Sequence, residues 1–158
     1  MTDMHHKSHH PVGQKLSIIH KWMRQYFVKE LKDLDIGPGQ FPLIMTLFHN
    51  DGITQEELAG IVCLDKATTA RGVKKLEDLG YLTREVNPDD RRAYRLHLTK
   101  KSTDMRPRLK RTLKKSTEMI TQNLSEEEKE TFEQLLNKMI ASAPAMCKNH
   151  GKFGEEEK

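Results

Sequence analysis

From Val12 to Leu34, apolar residues recur at Leu16, Ile19, Met23, Tyr26 or Phe27, Leu31 and Leu34. Steps of three to four residues trace one face of an α-helix, so a long amphipathic helix is predicted. Ile36-Gly37-Pro38-Gly39 interrupts the pattern, and Pro38 is expected in the first turn of a second helix, where its missing N–H is not needed. That helix carries Phe41, Leu43, Ile44, Leu47 and Phe48 and ends at Asn50-Asp51-Gly52. Thr54 followed by Glu57 is a capping box that opens a short third helix through Leu58, Ala59, Ile61 and Val62. Asp65 can cap a fourth, with Thr69, Val73, Leu76 and Leu79 facing inward and Gly80 as the stop.

After Gly80 the period shortens to two. Tyr81 to Val86 alternates, Asn87-Pro88-Asp89-Asp90 is turn chemistry, and Tyr94 to Thr99 alternates again, which predicts a hairpin. Helical spacing then returns from Lys100 to about Gln122, with Met105, Leu109, Leu113, Met119 and Ile120 on one face and Pro107 as a candidate kink. Ser125 and Glu128 form a second capping box, ahead of Phe132, Leu135, Leu136, Met139 and Ile140. The fold class is therefore mainly α with a small β-hairpin. Residues 1–11, with His5, His6, His9 and His10, are expected to be a mobile arm, and 148–158 a disordered tail.

Composition sharpens this picture. The 158 residues suffice for one domain, yet only 35% are apolar and 32% are charged, which points to a chain that completes its core by pairing. From Thr54 to Lys115 there are 16 basic and 9 acidic residues, a net +7, whereas the remainder carries −3. A basic middle between weakly charged flanks suits a polyanion, and nucleic acid is the commonest. No apolar run is long enough to span a membrane and no secretory leader is evident, so a cytoplasmic protein is expected. Cys63 and Cys147 are too few for a disulfide framework; Cys63, in the run Ile61-Val62-Cys63-Leu64, reads as a small core residue. Phosphate loops, metalloprotease helices and nucleophile motifs are lacking, which argues against an enzyme, and neither a cofactor nor a metal site is called for.

Helix, short helix, helix and hairpin from Pro38 to Thr99 is the order of a winged helix-turn-helix, whose last helix enters the major groove while the hairpin reaches beside it. With Thr69, Val73 and Leu76 inward, the fourth helix presents Lys66, Thr68, Arg71, Lys74 and Lys75 outward. The hairpin tip Asp89-Asp90-Arg91-Arg92 projects two guanidinium groups, suited to a minor groove of concentrated negative potential. A carboxylate two residues ahead of Arg92 is expected to fix its rotamer by a planar pair. The rival reading is a winged module that binds protein; it would show exposed aromatics in place of Arg71, Lys74, Arg91 and Arg92.

At these residues the sequence resembles the MarR (multiple antibiotic resistance regulator) family. Asp90-Arg91-Arg92-Ala93-Tyr94-Arg95-Leu96-His97-Leu98-Thr99 follows the family's wing pattern. Ile53 to Ala59, Leu64 to Arg71 and Leu124 to Glu128 are similar to the starts of its third, recognition and last helices. The resemblance implies a homodimeric regulator, most simply a repressor, on a pseudopalindromic double-stranded DNA operator. Within residues 12–147, segments 12–35 and 100–147 would be dimerisation helices flanking a winged unit at 36–99. Thr54, Gln55, Lys66, Thr68, Arg71, Lys74, Lys75, Asp90, Arg91 and Arg92 form the expected DNA-contacting set.

Two residues depart from the family pattern. Ser102 stands where glycine is usual, and Gly72 replaces a larger residue, at about 1 kcal/mol of helix propensity relative to alanine, which is expected to loosen the reading helix. The resemblance also implies an effector, a small aromatic carboxylate or a phenol. Its expected site lies between the first helices and the winged unit, with Trp22, Met23, Phe27, Phe41 and Met45 as walls and His20, Lys21 and Arg24 as polar contacts.

Overall fold

Residues 11–142 are described by the structure, a computed structural model. The histidine-bearing residues 1–10, Cys147 and the 148–158 tail lie outside the described residues. Six α-helices and one hairpin follow in the order α1 (Val12–Glu30), α2 (Phe41–Leu47), α3 (Gln55–Val62), α4 (Lys66–Asp78), β1 (Leu82–Val86), β2 (Tyr94–Leu98), α5 (Lys100–Thr121) and α6 (Glu126–Ala141).

The first helix stops four residues short of Leu34. Lys32–Leu34 tightens into a 3-10 turn that closes on Asp35 in the left-handed region, at φ 54°. The guanidinium of Arg108 on α5 holds this turn in place, donating to both Asp33 carboxylate oxygens at 2.6 Å and to the Glu30 carbonyl at 2.8 Å. The second helix opens at Phe41, not at Pro38. Pro38 lies in a preceding turn, whose Gly37 N–H donates to Gln40 Oε1 at 3.1 Å, and Pro42 takes the place in the first helical turn.

α2 is buried on nearly every side, as a helix at the centre of a core must be. Packed with it in one cluster are Phe27 from α1, Leu31 just beyond that helix, Leu58 from α3, Val73 and Leu76 from α4, Leu82 and Leu96 from the hairpin, and Met105 and Leu109 from α5. Phe27 stacks on Phe41 with ring centroids 4.3 Å apart. Gly72 of α4 is part of this packing. A Cβ placed there would lie 2.4 Å from Leu43 Cδ1, and Leu43 is wholly buried. The glycine therefore lets α4 sit close on α2, a packing role beside the propensity cost expected from the sequence.

The strands pair antiparallel from Leu82↔Leu98 to Val86↔Tyr94. A third extended segment joins them: Gly52 N–H donates to the Leu96 carbonyl at 2.8 Å and Leu96 N–H to the Ile53 carbonyl at 2.9 Å, so the loop before α3 is stitched to β2. α5 leaves the hairpin under restraint. Thr99 Oγ1 donates to the Gly80 carbonyl at 2.7 Å, Lys101 Nζ to the Leu79 carbonyl at 2.6 Å, and the buried Ser102 hydroxyl to the Tyr81 carbonyl. Ser102 thus gives this junction a bond that glycine lacks. The helix runs from Lys100 to Thr121 through Pro107. Beyond it, α6 starts at the Ser125 capping box and buries none of its residues. Among the described residues, no helix is long and apolar enough to cross a membrane.

Candidate nucleic-acid interface

Three local devices aim one face of the molecule. The Thr54 hydroxyl accepts from Glu57 N–H at 3.2 Å while the Glu57 carboxylate accepts from Thr54 N–H at 2.7 Å, fixing the start of α3. Asp65 accepts from Thr68 N–H at 2.8 Å at the start of α4, and the Thr68 bonds hold its carboxyl below the usual carboxylate range. Cys63 joins the two helices. Its backbone is left-handed, at φ 53°, and it is only half-buried, so it ends α3 instead of filling the core.

The third device is Arg95 in β2. Its Nε donates to Asn87 Oδ1 at 3.1 Å, Nη1 to the Gly52 carbonyl at 3.2 Å, and Nη2 to Asp89 Oδ2 at 3.1 Å. One side chain thus ties the wing turn to the loop before α3. Asn87, itself buried, also accepts from Asp89 N–H at 3.2 Å.

Between the starts of α3 and α4 and the outer hairpin lies a hollow of about 390 Å³. Five residues of the expected DNA set meet there: Thr54, Gln55, Lys66, Asp90 and Arg92. Thr68, Arg71, Lys74 and Lys75 run along α4 outside it, and Arg91 sits exposed on the wing turn. The cations differ in their engagement. Lys66 donates to Glu56 at 2.8 Å, a bond that raises the lysine pKa and lowers that of the glutamate. Lys74 donates to Asp78 at 2.6 Å, and that bond raises its pKa too. Arg71 bonds the Thr68 hydroxyl at 2.9 Å. Among the described residues, the side chains of Lys75, Arg91 and Arg92 have no polar partner.

Asp90 departs from expectation. Its carboxylate accepts from the backbone N–H of Arg92 at 3.0 Å, so it shapes the turn and leaves the guanidinium unpaired. The short loop lets the carboxylate reach the nearer main-chain donor first. Sequence reasoning missed Glu56, Arg84 and Tyr94 as walls of the hollow, and Arg95 as the clasp. Arg84 and Tyr94 were legible in principle, because strand alternation puts them on the hairpin face that carries Leu82 and Leu96. Arg95 was not, since its partners are 6, 8 and 43 residues away.

The residues expected around an effector do not come together as one open site. Phe27, Phe41 and Met45 are closed into the core, where stacking and central packing use their surfaces, while His20, Lys21 and Arg24 lie exposed on α1. A cavity of about 220 Å³ does lie against α1, but α5 forms its other wall; of the expected residues, Trp22 and Met23 line it. Among the described residues, no three His, Cys, Asp or Glu side chains gather as a metal site.

Residues 36–94 match the model of the MarR family. An uncharacterised HTH-type transcriptional regulator, YybA of Bacillus subtilis, is 36% identical over 70% of this chain and 73% of its own. The HTH-type transcriptional regulator MgrA of Staphylococcus aureus is 27% identical over 74% of this chain and 78% of its own. Among solved structures, a MarR transcriptional regulator from Methanosarcina mazei superposes with a TM-score of 0.81 at 33% identity, covering 83% of this chain and 94% of that one. The unpaired wing arginines, the capped reading helix and these likenesses lead to one assignment: the chain belongs to the MarR family of DNA-binding transcription regulators.

Proposed function

We propose that the protein acts in the cytoplasm as a homodimeric repressor that occupies a pseudopalindromic duplex operator. The observation that carries this reading is the hollow in which Thr54, Gln55, Lys66 and Arg92 converge beside the exposed face of α4. In it, α4 enters the major groove with Thr68 and Arg71 at base edges and Lys74 and Lys75 at phosphates, while Arg91 and Arg92 follow the adjoining minor groove. Pairing is supported by α6, which carries Leu135, Met139 and Ile140 about half exposed and buries nothing in its own chain. Release by a small aromatic carboxylate or phenol would require the ligand to prefer a spacing of the two reading heads that mismatches the operator.

The test is selection of bound duplexes from a random pool, followed by variation of the spacing between the recovered half-sites. Two heads related by a two-fold axis need half-sites about 34–36 Å apart, so half a turn of added DNA should abolish specific binding. Indifference to spacing overturns the operator reading. Absence of retention on duplex DNA at low salt would favour the protein-binding module instead.

A further inference from the structure

The cations that line the hollow between α3, α4 and the wing are not equally free. Lys66 Nζ donates to Glu56 Oε1 at 2.8 Å and Arg84 Nε lies 3.2 Å from Glu77 Oε2, whereas the Arg92 side chain has no polar partner among the described residues. The two pairs differ in setting. Arg84 and Glu77 are half-buried, and their contact joins β1 to α4 as part of the fold. The Lys66 and Glu56 side chains are 81% and 77% exposed, so water and salt compete for the bond and it adds little to stability. Lys66 is also the first residue of α4, where the free N–H groups of a helix start favour an anion over a cation. A lysine in an unfavourable place, bound to a carboxylate that does little for the fold, points to a use outside the fold.

We propose that Glu56 is an internal competitor of DNA phosphate for Lys66, and so limits how tightly the protein holds duplexes of any sequence. The inference rests on the reading of this face as the DNA-contacting one and adds to it a residue whose charge acts against binding. An ammonium has three N–H donors, so Lys66 can begin to bond a phosphate while Glu56 still holds it. Two anions then face one another across a single cation. The contact is completed only when Glu56 swings away, and much of the electrostatic gain is offset by the bond given up. Lysine–phosphate contacts supply the attraction that is blind to sequence, so the start of α4 contributes little of it. The proposed base-edge contacts of Thr68 and Arg71 are untouched, and a larger share of the affinity depends on sequence.

Glu56→Gln tests this, with affinity for the selected operator and for a scrambled duplex of equal length measured across a salt series. Tighter binding to both is expected. The ratio of affinities at 50 and 200 mM salt should grow about threefold for each chain bound, the weight of one further phosphate contact. Glu126→Gln is the control: it removes the same charge from an exposed pair with Lys129 at the start of α6, outside the hollow, and should leave both quantities near the parent's. Lys66→Met, alone and with Glu56→Gln, completes a cycle in which loss of the carboxylate should gain little once the lysine is gone. Unfolding midpoints close to the parent's are expected throughout, because both pairs are exposed. An equal gain in both backgrounds would mean that the carboxylate acts by repulsion alone, and no gain in either would leave it without a role; each overturns the competition. Weaker binding by Glu56→Gln, confined to duplexes with cytosine at one position, overturns it too and makes the carboxylate a base contact. A parent chain that no duplex retains at low salt overturns the DNA-facing reading itself, a result distinct from an unresponsive Glu56→Gln.

Discussion

Thr46 has its hydroxyl in a fully buried place with no hydrogen-bond partner among the described residues. Desolvating such a group without compensation is unfavourable, so Thr46→Val, which keeps the shape, is expected to raise stability by about 1 kcal/mol in a urea titration. Nothing in the sequence marked that residue, because it falls on a helix buried all round, where periodicity stops separating inside from outside. Arg92 is the opposite case. Its motif was readable, and the structure adds that its guanidinium is unpaired, so no internal bond need break when it meets a phosphate-lined groove. Arg92→Ala should weaken binding to all duplexes and flatten the slope of affinity against salt by about one counterion. The paired Lys66 should give a smaller change on substitution; the two salt slopes, measured side by side, check the order.

Helix packing and the wing turn two local details into properties of whole elements. The contact between α4 and α2 depends on the missing side chain at Gly72, so Gly72→Ala, a gain in helix propensity taken alone, is expected to lower stability by about 1–3 kcal/mol in thermal unfolding. A net stabilisation would show that Leu43 can swing aside. Arg95→Met removes the clasp while keeping the stem. Faster amide exchange over residues 87–93 and weaker DNA binding are expected, with little change in the unfolding midpoint. Both capping boxes, the Asp65 cap, the hairpin and the inward face of α4 were legible because each is written in residues a few positions apart. The end of α1 and the start of α2 were not. The first is set by Arg108, 75 positions beyond Asp33, and the second by a turn that leaves Pro42 and not Pro38 in the helix.

On the scale of the molecule, the same Arg108–Asp33 pair links α5 to the turn that ends α1. The Arg108 hydrogen bonds hold the Asp33 carboxyl below its ordinary range. A carboxyl with a lowered folded pKa adds stability that is complete above its unfolded value, near 3.9, and is lost as pH falls through the folded value. Asp33→Asn should therefore flatten the stability curve below about pH 4 and leave its shape near neutrality unchanged; an identical acid limb in both proteins would remove the pair from this role. α5 has a mechanical consequence as well. Its 22 residues make a rod about 33 Å long, rooted at Gly80, Tyr81 and Leu79 in the reading head. A lever of that length converts a tilt of about 5° at its far end into roughly 3 Å of travel at the other, nearly one base-pair step. In the proposed homodimer, small substitutions at the distal end of α5 should thus retune which operator spacing is accepted.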